Sequence, residues 1–387
     1  RYRDTDIPIL LIYDFKRGQK MKISNLKLKN FRSYDELNLK FSDYKNIIIG
    51  DNGVGKTNIV EAIYYLALTK SFRCNDDSLL LKENSESAII EANIKTTINN
   101  VYKIVLTKNG KKILIDNKQI TTISDYISKL NVIIFTIDDL KLIKDNPSMH
   151  RKLINMELSQ FNNNYLKLLS LHNKVLKQRN TYLKSMQINS YVPKEYLDII
   201  TEKMIDLGLQ IHEIRKQYLI IINDYLTTIF EKSTKKKNLK IKYVSQYENK
   251  NKDNLIKEYK SSLTRDLNYG KTNIGVHLDD FIFVVNDKEA KYFLSEGEQK
   301  SAVISFKLAE IKYCIDNFKK TPILILDDLF SELDNKKINS LISNLRKSLQ
   351  IFITTTDINK VNKKLLNNCR VIKIKPQKVE VKDYEWK

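Results

Sequence analysis

The run "IIIGDNGVGKTNIVEAIYYL" (47–66) holds Gly50, Gly53 and Gly55, three of the nine glycines in a chain of 387 residues. Gly50-x-x-x-x-Gly55-Lys56-Thr57 has the spacing of a phosphate-binding loop, which arises by chance in roughly 0.4% of chains of this composition. The chemistry explains the residue types. Several backbone N–H groups must converge on one anion, and glycine allows both the backbone angles and the close approach. A helix starting near Thr57 adds the positive end of its dipole. Lys56 reaches outer phosphates, and the Thr57 hydroxyl is a ligand for Mg²⁺. A second constellation lies far downstream in "TPILILDDLFSELD", where the apolar strand Ile323–Leu326 delivers Asp327 and Asp328. Carboxylates at the carboxyl end of a buried strand suit a metal–nucleotide site. Asp327 is the candidate metal residue, and Asp328 the candidate that orients or deprotonates the attacking water. A third segment, "FLSEGEQKSAVISFKLAEI", carries Ser295 and Glu298 as an S-x-x-E capping box. The segment reads either as a plain helix start or, more sharply, as Ser295 and Gly297 exposing a helix N-terminus to a phosphate held by another copy of the chain.

These residues need elements to position them. Alternating apolar and polar residues from Met21 to Phe41 predict two strands joined through "NFRSYDE". The run "NIII" then leads into the glycine loop, and Ile59, Ile63, Leu66 and Ala67 follow at helical spacing. Residues 88–120 predict an antiparallel meander with turns at Asn109-Gly110 and Asp116-Asn117. Near "NVIIFTIDDL" the pattern is expected to become helical. Leu158, Phe161, Tyr165, Leu168, His172 and Val175 step by three and four, and Leu197 through Tyr225 repeats the spacing for four heptads, about 42 Å of helix. A strict 3.5 period favours a narrow coiled seam. With Pro193 between them, the two stretches read as an antiparallel helical arm. His172 reads as a packing residue, since no second His or Cys stands at metal spacing. Gly208 weakens its helix by about 1 kcal/mol relative to alanine. The basic run Glu231–Lys242 is read as a loop, equally a solvated face or a nucleic-acid contact. From about Gly275 strand patterns return. The expected organisation is a head assembled from 21–140 and 271–387 around a helical insert at 141–270, with residues 1–20 an extension outside the fold.

Composition narrows the partners. Lysine and arginine number 67 against 46 acidic residues, a formal charge of +21. That field favours polyanions, nucleic acid first among them, although a lysine-rich proteome gives the same excess. Three cysteines far apart argue against a disulfide framework and for a reducing, cytoplasmic setting. No apolar run approaches the roughly 20 residues of a membrane span, so no membrane partner is expected.

With the glycine loop, the paired aspartates and the serine–glycine helix start in hand, the chain resembles the ABC-type ATPases of the SMC and RecF group. "LKNFRSYDELNLKF", "GDNGVGKTNIVEAIYYLALTKSFR", "LKLIKDNPSMHRKLINMEL", "VLKQRN" and "LILDDLFSELD" are similar, in order, to segments characteristic of the RecF family. The resemblance covers nearly all of 21–387 and implies an α/β fold: an ABC-type head with a mixed sheet, flanking helices and a β meander, plus an inserted helical arm. It implies ATP and Mg²⁺ as cofactors. It places ATP at Arg32, Gly50, Asp51, Asn52, Gly53, Val54, Gly55, Lys56, Thr57 and Asn58, and Mg²⁺ at Thr57 and Asp327. Asp328 is the catalytic residue, Ser295, Gly297 and Gln299 form a signature acting across a dimer, and Ser331 and Asp334 form a loop crossing that interface. Thr356 in "FITTTD" takes the place where transporters keep a histidine. A further metal-shell residue is sought around Thr136. The implied function is DNA binding in replication, recombinational gap repair, the SOS response and DNA-damage recovery. ATP binding closes a homodimer on single-stranded, duplex or gapped DNA, slow DNA-stimulated hydrolysis reopens it, and RecR and RecO are helped to load RecA. The alternatives are an SMC-like structural ATPase and a transporter subunit. Two departures stand out: Glu298 replaces the family's glutamine, and "GVHLDD" (Gly275–Asp280) lacks the arginine of the family's "GPHRDD".

Overall fold

The computed structural model describes residues 19–384 apart from 97, 189–192, 235–237, 335–336, 339–340, 342–344, 346–348, 362–365 and 377. Residues 1–18 of the expected extension lie outside the described residues, while Gln19–Lys20 pairs in parallel with Lys320–Thr321. The alternating run forms β1 (Lys22–Phe31) and β2 (Tyr34–Lys40), paired antiparallel with Leu28 opposite Leu37 and Leu26 opposite Leu39. Their leucines point inward and Lys27, Lys29 and Lys40 outward, as a half-buried sheet requires. The meander follows as β4 (Ser87–Lys95), β5 (Asn99–Thr107), β6 (Gly110–Ile115) and β7 (Lys118–Ile120), which complete a six-stranded antiparallel sheet in the order β2-β1-β4-β5-β6-β7.

The second sheet carries the chemistry. It runs β14-β13-β3-β12-β11-β8, built from β3 (Lys45–Ile49), β8 (Val132–Thr136), β11 (Ile323–Asp327), β12 (Ile351–Thr355), β13 (Cys369–Lys375) and β14 (Lys378–Tyr384). All pairings are parallel except β13–β14. The continuous apolar runs "NIII" and "ILIL" follow from burial on both faces. Ile48, Ile325 and Phe352 face α1 (Lys56–Leu68) and the antiparallel sheet, so α1 is enclosed between two sheets. Ile47, Leu324, Leu326 and Ile353 face the helical side. "NVIIF" is strand β8, not helix. Its apolar run reflects two-sided burial at the end of the parallel array, a pattern that periodicity alone does not separate from a buried helix.

The first periodic stretch is two helices, α2 (Pro147–Phe161) and α3 (Asn163–Ile188). Asn162 takes an extended conformation between them, and its side-chain oxygen accepts from Tyr165 N at 3.0 Å. The second stretch is α4 (Lys194–Thr234), 41 residues long. Its buried face is wider than a coiled seam, because Ile205, Leu219, Ile222, Leu226 and Phe230 are buried besides the heptad positions. The cause is a second partner surface. Besides α3, α4 packs on α6 (Glu296–Phe318), on β9 (Leu239–Val244) and on α5 (Lys252–Ser261). The basic run is therefore no loop in its described part: it is the last turn of α4 and the start of β9, with 235–237 outside the described residues. β9 pairs antiparallel with β10 (Asp280–Val285).

Buried ion pairs tie the arm together. Arg179 meets Asp266 at 2.7 Å and Arg215 meets Asp279 at 2.5 Å, all four side chains at most 1% exposed. Arg215 also donates to Val276 O, Tyr165 Oη and Asn155 Oδ1. Thus "GVHLDD" is a bracket for the arm helices: Asp279 takes Arg215, and Asp280 accepts from His150 Nδ1 at 2.8 Å. Leu278, standing where the family has arginine, is largely exposed. His172 and His277 lie with ring centres 6.1 Å apart, and burial lowers the His172 pKa to about 3, so it packs as a neutral ring.

Gly208 has a packing reason. A Cβ there would lie 2.7 Å from the Tyr247 ring, which is itself buried and shares a hydrogen bond with Tyr259 Oη. Gly208→Ala gains about 1 kcal/mol of helix propensity but overpacks a tight contact by about 1–3 kcal/mol. The expected outcome is net destabilisation of about 1 kcal/mol, measured by urea unfolding; a stabilised variant would refute the contact.

Candidate functional site

The carboxyl ends of the parallel strands lie side by side. Ile49 at the end of β3 is opposite Thr355 on β12, and Asp327 at the end of β11 is opposite Thr136 on β8. The glycine loop leaves β3 at this edge and enters α1. Gly55 is the helix N-cap with φ +101, a left-handed conformation in which a side chain would be strained and would meet Tyr34 Oη at 2.8 Å. Tyr34 Oη instead donates to Gly55 O at 3.1 Å, and Asn58 Nδ2 donates to Ser33 Oγ at 2.9 Å, so the β1–β2 turn braces the loop. No side chain caps the start of α1, whereas Asn146, Asn251 and Ser295 cap their helices. An uncapped helix start keeps its N–H donors for an anion.

Lys56 folds back over the loop. Its Nζ donates to Gly50 O and Asp51 O, both at 2.8 Å. Burial lowers its pKa, opposed by the carboxylates of Asp328, Asp327 and Asp51. Thr57 Oγ1 donates to Asp327 Oδ1 at 3.2 Å, joining residues 270 positions apart. Burial raises the Asp327 pKa, offset by hydrogen bonds from Thr354 and Thr57. The donor set suits a hard cation between a hydroxyl and a carboxylate, with the lysine opposite anionic oxygens. Asp328 has φ +54, in the left-handed region, and its backbone N–H donates to Thr354 Oγ1 at 2.9 Å.

Thr354 escaped the reading of the sequence. It sits on β12, the strand between β3 and β11, and donates to Asp327 Oδ1 at 2.7 Å. A threonine in an apolar strand carries no signal until the sheet order is known. Thr356, two residues on, is exposed. Arg73 was also missed as a site residue. Its Nη1 donates to Asn58 Oδ1 at 3.0 Å and to Glu61 Oε2 at 3.2 Å, with the side chain 44% exposed. Arg32 is different: its Nε and Nη2 grip Glu61 at 2.9 and 2.7 Å, and its Nη1 donates to Leu79 O. Glu61 is fully buried, so both arginines answer a carboxylate of their own chain, and Arg73, the more exposed of the two, also reaches Asn58 at the end of the loop.

The serine helix start lies on α6. Its capping box is formed: Glu298 Oε2 accepts from Ser295 N at 2.9 Å, and Glu298 N donates to Ser295 Oγ at 3.4 Å. The carboxylate is thereby turned back onto its own helix. Gln299 stands apart from Ser295 and Gly297, because its amide is buried and donates to Lys291 O and Leu294 O at 3.2 and 2.9 Å. Ser331 Oγ donates to Asp328 O at 2.8 Å, linking its loop to the second acid, and Asp334 Oδ1 accepts from Lys337 N at 2.8 Å. Asp51, Asn52 and Gly53 are exposed at the loop tip, with Val54 behind them.

The comparisons agree with this geometry. The RecF/RecN/SMC N terminal domain family matches residues 22–381. The DNA replication and repair protein RecF of Ligilactobacillus salivarius is 34% identical over 368 residues, covering 93% of this chain and 97% of its own length. That of Bacillus cereus is 35% identical over 363 residues, covering 92% and 97%. The solved structure of the recombination mediator protein RecF with ATP, in the RecFOR pathway, superposes with a TM-score of 0.87 at 27% identity, over 96% of this chain and 100% of that one. The family match spans residues 22–381, the stretch that in this chain holds the loop, the paired acids and the arm; the chain belongs to the RecF family of DNA replication and repair proteins, with an ABC-type ATPase head.

Proposed function

We propose that the chain is an ATP-operated DNA-binding switch of recombinational gap repair and replication-fork recovery. The observation that carries the reading is the 3.2 Å contact of Thr57 with Asp327, which assembles one site from two distant motifs. The RecF structure with ATP supports nucleotide as the ligand. The amides of 50–58 and Lys56 bind the phosphates. Thr57 and Asp327 hold Mg²⁺, which when bound neutralises phosphate charge. Asp328 orients the attacking water and takes its proton. Ser295 and Gly297 complete the site of a second copy, so nucleotide affinity is greater in the closed homodimer, and only such a difference lets a ligand shift the equilibrium. Arg73 adds a cation at the loop mouth. Head 21–140 with 271–387 and arm 141–270 form a clamp on DNA. RecR and RecO are the partners and RecA loading the outcome, in the cytoplasm. The formal charge of +21 supports the nucleic-acid partner. No helix among the described residues is long and apolar enough to cross a membrane.

Sedimentation with and without ATP tests the switch. Lys56→Met is expected to abolish ATP-driven dimerisation, and Asp328→Asn to accumulate the dimer while hydrolysis drops by about 10²-fold or more. A Lys56→Met protein that still dimerises on ATP would defeat the reading. The two arginines should separate. Arg73→Ala is expected to weaken ATP binding about ten-fold at near-normal stability. Arg32→Ala leaves a buried carboxylate without its bidentate partner and costs about 3 kcal/mol of stability. Calorimetry alongside thermal unfolding distinguishes them, and equal effects in both assays would remove the assigned difference. DNA affinity in the presence of ATP should fall steeply with salt, by about 0.9 log unit per log unit of salt for each phosphate contacted. A flat salt titration contradicts backbone binding.

A further inference from the structure

Four side chains form a buried polar knot beneath the site. Lys307 and Glu310 come from α6, Glu157 from α2, and Asp139 from the 3-10 turn Asp138–Lys144 that follows β8. Lys307 Nζ lies 3.2 Å from Glu310 Oε2 and 3.9 Å from Asp139 Oδ1, with side-chain exposures of 1% for Lys307, 0% for Glu310 and 18% for Asp139. Glu157 is 1% exposed. Among the described residues, Lys307 Nζ, both Glu310 oxygens, Glu157 Oε2 and the Tyr218 hydroxyl have no hydrogen-bond partner of good geometry. One cation thus faces several carboxylates in an apolar interior. Such a group is a poor source of stability, since burial of charge opposes its Coulomb gain, but breaking it is costly.

Its place in the fold is informative. Asp139 Oδ2 accepts from Thr136 N at 2.6 Å and from Thr136 Oγ1 at 3.0 Å. Thr136 is paired with Asp327 across β8 and β11. In the other direction Lys307 lies 12 residues along α6 from Ser295, about 18 Å at 1.5 Å per residue. The knot therefore joins the strand beside the metal acid to the helix that presents the partner-facing serine. We propose that Lys307 is a positioning residue that locks α6 to the β8 turn, so that ATP-driven dimer assembly depends on it while nucleotide uptake by one chain does not. The inference rests on the proposed ATPase function.

The groups facing the knot are Lys307, Glu310 and Cys314 on α6, Glu157 on α2, Asp139 on its turn, Tyr64 on α1 and Tyr218 on α4. Burial raises the Glu157 pKa to about 7, opposed by Lys307. A carboxyl whose folded pKa is raised binds its proton more tightly folded than unfolded. Its contribution is full below the ordinary carboxylate range and is lost as pH rises through about 7. Thermal stability is expected to decline from pH 6 to pH 8 through this group, and Glu157→Gln should flatten that decline.

The decisive variants are Lys307→Met and Lys307→Met/Glu310→Gln. The double variant removes the cation together with the carboxylate nearest it, so its thermal stability should recover toward wild type. Monomer ATP affinity by calorimetry should stay within about two-fold for both, whereas ATP-driven dimerisation should remain about ten-fold weaker even in the stable double variant, a loss of roughly 1.4 kcal/mol. A stable double variant that dimerises like wild type overturns the inference and leaves the ATPase reading intact. A wild-type chain that takes up no ATP overturns the ATPase reading and this inference with it.

Discussion

The site depends on one alignment: parallel strands that end together. A phosphate loop on β3 and an acid on β11 do not touch through sequence, since the meander β4–β7, the helical arm and the β9–β10 pair lie between them in the chain. They meet because β12 fills the gap between their strands and holds both in register. Parallel strands sum their loops and helix starts at one edge, and anionic ligands collect there. The hydroxyl of Thr354 on that intermediate strand then fixes the carboxylate it borders. Every other element answers to this edge: α1 begins at it, α6 is tied to it through the β8 turn, and the antiparallel sheet braces the glycine loop through Ser33 and Tyr34.

Charge is buried in this protein where segments distant in sequence must be held at one angle. Arg32 on Glu61, Arg179 on Asp266 and Arg215 on Asp279 each cross from one element to another, and each pair is bidentate or supported by further hydrogen bonds. Such pairs contribute geometry more than stability, because desolvation cancels most of the attraction. "GVHLDD" illustrates the point. Its acids carry the arm, and its missing arginine falls where Leu278 is largely exposed, so the bracket is intact without it.

Much of the architecture was legible because local chemistry reported it. Period-two alternation marked β1, β2 and the meander, turn residues marked the hairpins, and glycine spacing marked the loop. The capping box at Ser295 and Glu298 is local by nature and forms as its residues imply. Where the reading missed, a non-local partner was responsible. "NVIIF" is a strand because helices and sheets cover both its faces, and α4 buries a broad face because a second helix and β9 pack on it. Gly208 reads as a weakness until the Tyr247 ring is placed against it.

The amino-acid sequence alone marked the glycine loop and the strand-end acid that meets it, because glycine, lysine, hydroxyl and carboxylate at fixed spacing have few other uses. It did not determine which threonine holds Asp327, that Arg73 reaches Asn58, or that Gln299 turns inward. Those were decided by strand order and by competition among neighbours for each donor. Both are properties of the packed chain, because a hydrogen bond goes to whichever group the surrounding elements bring within reach.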